Sequence, residues 1–185
     1  MKKVYLAISV LILSFSNLYS QKIGAVFIGA NNYLYTYRNN HSHVKLTGVS
    51  AGWLIPINIS SLPVYYKVKA AHHSVEDYDS FGFYGKLNYF FSATNEILVG
   101  KQFKVDDKIS IIPQFGFGAM GEAVYRDWNI GYTYGGTFID FSVITSYDCG
   151  KFSLGLMTNY EKGVMPDKDS MVSDQRLNIA LLFIK

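Results

Sequence analysis

The 185-residue sequence has little charge for its length. Charged residues make up 17% of the chain, against roughly 25% in an average soluble protein. The formal net charge of +3 includes Lys2 and Lys3, and removing these two residues leaves +1 for the remainder. A nearly neutral chain does not favour binding to nucleic acid, because such binding needs a strongly basic face.

Cysteine is almost absent, and helical periodicity is missing altogether. The single cysteine, Cys149, excludes an intramolecular disulfide. The one Gly-x-Ser-x-Gly match, from Gly48 to Gly52, lies within an alternating segment and not at the strand-to-helix turn that a nucleophile elbow needs. No segment between residues 22 and 185 repeats its apolar residues at a helical period. These absences favour an all-β domain that is not held together by disulfides.

The first 20 residues have the layout of a secretory signal peptide. Two lysines precede an apolar run from Val4 to Leu13, which at about ten residues is too short to span a bilayer as a helix. Cleavage is expected after Ser20, with cleavage after Ser16 as the alternative. No cysteine lies near either position, which excludes lipoprotein processing. We therefore expect a signal peptide at residues 1–20 and one domain at residues 21–185.

The segment from Phe81 to Phe91 shows the alternation that repeats along the rest of the chain. One face is apolar and aromatic, and the other is small or polar with little charge. The two faces are Phe81, Phe83, Leu87, Tyr89 and Phe91 against Gly82, Tyr84, Lys86 and Asn88. Together with an export signal, this alternation is typical of a transmembrane β-barrel strand that has lipid outside and a polar interior.

Nine segments carry this pattern and predict strands. They cover residues 23–37, 44–59, 64–72, 81–91, 96–105, 109–118, 139–147, 152–160 and 177–183. The connections between them are predicted as turns at 60–63, 92–95, 106–107 and 148–150, and as loops at 38–43, 76–80, 121–134 and 163–174.

The acids are placed so that few of them lie on these strands. Three are expected on strands, namely Glu96, Glu122 and Asp140, and the other eleven are expected in turns and loops. The eleven are Glu76, Asp77, Asp79, Asp106, Asp107, Asp127, Asp148, Glu161, Asp167, Asp169 and Asp174. Such a distribution is expected if the strands cross hydrocarbon, because a Lys or Arg facing lipid at mid-depth costs about 2–4 kcal/mol.

Nine predicted strands conflict with the even number found in bacterial single-chain barrels. Either one segment does not span the membrane, or the stretch from Glu122 to Tyr134 contains another strand. At roughly 20 residues per strand, the mature chain fits eight strands, and ten is the alternative. We therefore expect a closed, antiparallel, up-and-down transmembrane β-barrel with eight strands.

The signal, the alternating strands and the strand that ends the chain resemble small outer-membrane β-barrel proteins of Gram-negative bacteria. The resemblance covers the whole mature chain and concerns architecture, since no family-specific motif is present. It implies a monomer in the cell outer membrane that contacts lipid and lipopolysaccharide and is assembled by the barrel assembly machinery. One departure is that Phe183 is followed by Ile184 and Lys185, whereas such barrels usually end with an aromatic residue. A secreted, soluble lipocalin-like binding protein is the alternative fold.

The four histidines are the obvious, though weak, candidates for a metal site. His41 and His43 lie in the first predicted loop, and His72 and His73 lie at the start of the second, near Glu76, Asp77 and Asp79. Imidazoles together with carboxylates would suit a divalent ion such as zinc or copper. Histidine is also an ordinary residue of loops and rims, so the sequence assigns neither a metal nor a cofactor.

The sequence favours a structural, adhesion or interaction role over catalysis. Among small barrels, lipid A-modifying enzymes combine His, Ser and an acid. In this chain the adjacent pairs His41-Ser42 and His73-Ser74 would point to opposite faces of a strand, which places them poorly for a proton relay. An enzyme of this kind is therefore a minor alternative.

Charged residues on the inward faces leave a pore open as another alternative. Lys67, Lys69 and Lys86 are predicted to face inward and, with Asp140, could line a narrow pore. We instead expect them to pair inside a filled lumen, since eight strands leave room only for side chains. Several aromatic residues are interpreted as anchors at the membrane interface, namely Tyr33, Tyr35, Trp53, Tyr66 and Tyr160.

Overall fold

The computed structural model describes residues 24–37, 43–59, 62–75, 89–126, 129–164 and 171–184, and these residues form strands joined by turns. The strands are β1 (Ala25–Tyr37), β2 (His43–Ile59), β3 (Leu62–Val75), β4 (Tyr89–Gly100), β5 (Phe103–Lys104), β6 (Ile109–Arg126), β7 (Asn129–Asp148), β8 (Ser153–Val164) and β9 (Met171–Ile184). Within this part of the chain there is no helix of the length and apolar character needed to cross a membrane.

Eight of these strands close into a barrel. The sheet order runs from β4 through β3, β2, β1, β9, β8 and β7 to β6, and each strand in this order is antiparallel to the next. Direct pairing of β4 with β6 joins the two ends of the sheet. The ninth strand, β5, has two residues and pairs only with the start of β6. The predicted closed, antiparallel, eight-stranded barrel is thus confirmed.

The stagger of the strands makes the lumen narrow. If one starts at Gly100 on β4 and moves from each residue to its partner on the next strand, the path returns to β4 at Phe90. The stagger around the barrel is therefore ten residues. Eight strands with this stagger tilt by about 40° and enclose an interior just wide enough for side chains. The lumen must therefore be filled by the chain itself.

One predicted turn is wrong, and its correction explains why nine strands were expected. β4 runs without interruption through residues 92–95, where the sequence predicted a turn between two strands. Ser92 and Thr94 face the lumen, so these small polar residues belong to the interior of a strand. Residues 81–88 lie outside the described part of the chain.

A proline accounts for the separation of β4 from β5. The pairing of β4 with β6 leads on in the same register to Phe103 opposite Ile111. The backbone N–H of Lys101 donates to the oxygen of Pro113 at 3.3 Å, but Pro113 has no N–H to donate in return. The ladder is therefore interrupted at this point, and the predicted strand at 96–105 is the end of β4 followed by β5.

The predicted loop at 121–134 is also largely strand, and strands occupy both ends of the predicted loop at 163–174. β6 continues to Arg126 and β7 begins at Asn129, with Gly121 paired to Gly135. Glycines on both strands hide the alternation on which the prediction relied. β8 likewise continues to Val164, so Glu161, which was assigned to a turn, lies on a strand.

The two predicted hairpin turns at 106–107 and 148–150 are confirmed. Asp106 Oδ1 accepts hydrogen bonds from the backbone N–H groups of Lys108 and Ile109 at 2.7 and 2.6 Å. Asp148 Oδ1 accepts one from Gly150 N at 2.7 Å, and Gly150 has a φ of 91°, which favours glycine. Both turns lie at the end of the barrel where the chain termini are, which we call the terminal end.

The outer surface of the barrel is apolar. On β8, Leu154, Leu156 and Tyr160 face outward, while Gly155 and Met157 face the lumen. The exposed residues include Val26, Ile28, Phe115, Phe117, Ile139, Phe141, Val143, Leu177, Ile179, Leu181 and Phe183. The band runs from Phe152, just before β8, to Tyr160 on that strand, which corresponds to roughly 20 Å along the barrel axis at the tilt above. This apolar band has the position and chemistry of a lipid-facing surface.

We predict that a charge placed in this band destabilises the protein, and that a charge placed beyond it does not. Leu181 is 66% exposed and is flanked by Ile28 and Leu156. Leu181→Arg should lower the free energy of unfolding by about 2–4 kcal/mol in phospholipid vesicles, as measured by urea titration. Gln175→Arg, on the same face of β9 but beyond the band, is the matched control and should change it by less than about 1 kcal/mol. Equal effects of the two substitutions would contradict a lipid-facing band.

Candidate functional site

The lumen holds most of the buried side chains of the described structure. At the terminal end these side chains are apolar. The buried side chains there are Ala25, Phe27, Leu54, Leu98, Ile144, Met157, Ala180 and Leu182, and partly buried Tyr65, Ile112 and Ile184 pack against them. We call this group the apolar floor. It includes the first residue of β1 and the inward residues near the end of β9, which places it beside the chain termini.

Buried charges occupy the centre of the lumen above the floor. Lys67 extends from β3, and its Nζ lies 2.7 Å from Glu96 Oε2 on β4 and also pairs with Asp140 Oδ2 on β7. All three side chains have no exposed surface. A contact between β3 and β7 crosses the barrel, because these strands are not neighbours in the sheet.

Glu161 on β8 is the acid with the most partners in this layer. It pairs with Lys69 on β3 through Oε1, and its Oε2 lies 3.1 Å from Arg176 Nη1 on the neighbouring strand β9. The side-chain amides of Asn159 and Asn178 donate to Oε1 at 2.7 and 3.2 Å. Three cations therefore face three acids, which are Lys67, Lys69 and Arg176 against Glu96, Asp140 and Glu161. We call these six residues the lumen network.

Aromatic rings cover the network on the side away from the floor. The guanidinium of Arg176 lies 5.2 Å from the ring centroid of Tyr33 and 4.8 Å from that of Phe138. The rings of Tyr33 and His73 are 4.0 Å apart, and Tyr33 Oη lies 3.4 Å from Ser92 Oγ. Tyr33 is therefore a lumen residue, and its interpretation as a membrane anchor is wrong.

An inward glycine makes room for this packing. A Cβ built on Gly118 would lie 2.6 Å from Phe138 Cζ and 2.7 Å from Glu96 Cγ. Such contacts are too close for any side chain, so Gly118 lets Phe138 and Glu96 approach the barrel wall. The interior is packed close to the backbone at this level.

The network is built to hold ammonium groups. Glu96, Asp140 and Glu161 each offer an oxygen within 4.8 Å of the others, a spacing that could hold a metal ion. The oxygens of the same carboxylates contact the ammonium groups of Lys67 and Lys69. Two internal cations therefore occupy the place that a divalent ion would need.

The histidines proposed as weak metal candidates are only partly described. His72 is exposed and His73 is fully buried, so these adjacent residues of β3 lie on opposite faces and do not converge. His43 begins β2, and nothing is described of its side chain. His41 lies outside the described residues. The metal assignment remains a hypothesis that rests on the sequence.

The inward lysines were predicted correctly where they are described, but two other members of the lumen network were missed. The expected pairing of Lys67 with Asp140 inside a filled lumen is confirmed, while Lys86 lies outside the described residues. Sequence reasoning missed Glu161 and Arg176, because each lies just beyond the end of a predicted strand. Extending the alternation of Gly155 and Asn159 by two residues would have placed Glu161 inside.

We predict that the pair formed by Lys69 and Glu161 is energetically coupled. Glu161→Gln should lower the free energy of unfolding by about 3–5 kcal/mol, since it leaves buried cations without their carboxylate. The double variant Lys69→Met with Glu161→Gln should be more stable than the sum of the single effects predicts, by about 1–3 kcal/mol, in urea titrations. Exposed Lys104 is the control, because Lys104→Met should be additive with Glu161→Gln. Additivity at Lys69 would contradict the pair.

Comparisons with known proteins give structural neighbours only. No family model and no curated protein matches the sequence. Ail, the attachment invasion locus protein of Yersinia pestis, is 12% identical with a TM-score of 0.44, over 88% of this chain and 99% of that chain. Neisserial surface protein A is 13% identical with a TM-score of 0.47 over the same shares. The N-terminal β-barrel domain of Pseudomonas aeruginosa OprF is 9% identical with a TM-score of 0.39, over 86% and 99%. The strand pairings and the apolar exterior themselves give this chain the architecture of small outer-membrane β-barrel proteins.

Proposed function

We propose that this protein resides in the cell outer membrane and has a structural, adhesion or interaction role exerted at the end of the barrel opposite the chain termini. The observation that carries the proposal is the filled lumen. An apolar floor, a balanced set of buried charges and a layer of aromatic rings follow one another along the barrel. A packed interior of this kind favours a sealed barrel over a narrow pore, and it leaves the two ends as the places where partners can bind.

The two ends of the barrel differ in a way that supports this role. Polar side chains face outward at the end opposite the termini, beyond the apolar band, and we call them the polar collar: Asn32, His72, Thr137, Lys162 and Gln175. At the terminal end, exposed Phe103, Tyr147 and Phe152 reach the turns themselves. The barrel therefore extends out of the lipid on the collar side. Short turns at the terminal end fit the periplasmic side of such barrels.

This proposal includes the signal peptide at residues 1–20 and a mature domain from residue 21. Exposed Phe117, Ile179 and Leu181 would contact lipid, and lipopolysaccharide would contact the collar side of the band. Assembly by the barrel assembly machinery and a monomeric state belong to the same proposal. A lipid A-modifying enzyme would need a set of His, Ser and acid on one lipid-facing side, and the described residues offer no observation that favours it.

The orientation can be tested by labelling single cysteines in cells. Native Cys149 is exposed in a turn at the terminal end and should react with a membrane-impermeant maleimide only after the outer membrane is permeabilised. Lys162→Cys in a Cys149→Ser background should react in intact cells, because it lies in the polar collar. The reverse pattern would overturn the orientation, and absence of the protein from the outer-membrane fraction would overturn the location.

The sealed lumen can be tested by electrical recording. We expect purified protein in planar bilayers to give no stepwise conductance, because side chains fill the barrel over the height of the floor and the network. A large porin reconstituted in parallel shows that the recording is sensitive enough. Reproducible conductance steps from the folded protein would establish the pore alternative and contradict the sealed barrel.

A further inference from the structure

Two neighbouring turns at the terminal end carry four exposed lysines. Lys101, Lys104 and Lys108 belong to the hairpin between β4 and β6, and Lys151 belongs to the turn between β7 and β8. The backbone N–H of Asp148 donates to the oxygen of Lys108 at 2.8 Å, which holds the two turns side by side. The four lysines therefore form one surface, which we call the lysine rim.

Aromatic rings place this rim at the edge of the lipid-facing band. Lys101 Nζ lies 5.6 Å from the ring centroid of Phe103, and Lys108 Nζ lies 5.9 Å from that of Tyr147. Phe103 is 51% exposed and Tyr147 is 46% exposed. Exposed aromatic rings at the end of an apolar band mark the depth of the headgroups, and lysines extend from there toward water. The ammonium groups are thus at the depth where lipid phosphates lie.

The same two turns also carry three acids, Asp106, Asp107 and Asp148, and all three are exposed. Asp106 and Asp148 each direct Oδ1 to backbone N–H groups of their own turn. None of the ion pairs of the lumen network involves a lysine of the rim. Four lysines against three acids give the two turns a net charge of +1, and the ammonium groups of Lys101 and Lys108 at the edge of the band are accessible to an external anion.

We propose that the lysine rim binds the phosphate headgroups of anionic phospholipids in the leaflet at the terminal end of the barrel. Lysine is a compact point charge that attracts phosphate without demanding one fixed geometry, and clusters of cations near a membrane surface recruit anionic lipid. The proposal rests on the membrane location given above. The polar collar has fewer lysines than the rim, because Lys162 is the one lysine among its five residues.

The test uses the full mature protein in vesicles of phosphatidylcholine that contain spin-labelled phosphatidylglycerol or spin-labelled phosphatidylcholine. Electron paramagnetic resonance then gives the relative affinity of the two lipids for the barrel surface. We expect phosphatidylglycerol to be preferred by about threefold, averaged over all lipid sites, and the preference to fall sharply in high salt because the attraction is electrostatic.

Substitutions locate the preference on the barrel. The variant with Lys101, Lys104, Lys108 and Lys151 all changed to Gln should lose the preference, whereas the control Lys162→Gln should retain it. These lysines are exposed, and a heat-modifiability gel verifies that each variant is folded. No preference in the wild type, or an equal preference in the fourfold variant, would overturn the proposal.

The labelling experiment separates this proposal from the proposed orientation. If the rim binds phosphatidylglycerol but Cys149 reacts in intact cells, the orientation fails and the rim faces the lipopolysaccharide leaflet. Such a result would contradict the proposal that the rim binds phospholipid in the cell. The phosphates of lipopolysaccharide would then be its ligand. If Cys149 is protected and the preference is absent, the orientation stands and the rim proposal fails.

Discussion

Pairing of buried charge across a narrow lumen is the interaction on which the rest of the structure depends. Isolated charges in such an interior would be prohibitively costly, so each must meet an opposite charge or a hydrogen-bond partner. Lys67 meets Glu96 and Asp140, and Glu161 meets Lys69 and Arg176. These contacts connect β3 with β7 and β8 through the centre of the barrel, in addition to the hydrogen bonds between neighbouring strands. The network thereby fixes the distance between strands on opposite sides of the barrel.

The opposite environments of the two barrel faces follow from the same sequence alternation. Apolar side chains face outward along most strands, and the inward positions hold glycine, small polar residues, the network and the rings of Tyr33 and Phe138. The terminal half of the lumen departs from this pattern, because the apolar floor places Phe27, Leu54 and Leu182 inside. The lumen is apolar at one end, and its buried charges are paired at the centre. The polar collar and the lysine rim are therefore the surfaces at which polar or charged partners can bind.

Sequence alternation was sufficient to predict the class of fold and much of β6, β8 and β9. It failed at Ser92 and Thr94, because small polar residues are typical both of turns and of strand positions that face the lumen. It also misassigned Tyr33, because an aromatic residue fits both a membrane interface and a lumen that contains arginine. Residue spacing alone does not show which acid each lysine meets. Lys67 and Asp140 are 73 residues apart and Lys69 and Glu161 are 92 apart, and only the closure of the barrel brings them together.

The most direct measurement of the central claim is the exchange of the ammonium protons of the lumen lysines. Protein labelled with ¹⁵N at lysine Nζ can be studied by NMR in phospholipid nanodiscs, and Lys67→Met and Lys69→Met assign the two signals. Buried, paired ammonium groups exchange their protons with water slowly, so both signals should persist under conditions in which that of exposed Lys162 is lost. Exchange of Lys67 and Lys69 as fast as that of Lys162 would show a hydrated lumen and contradict the network.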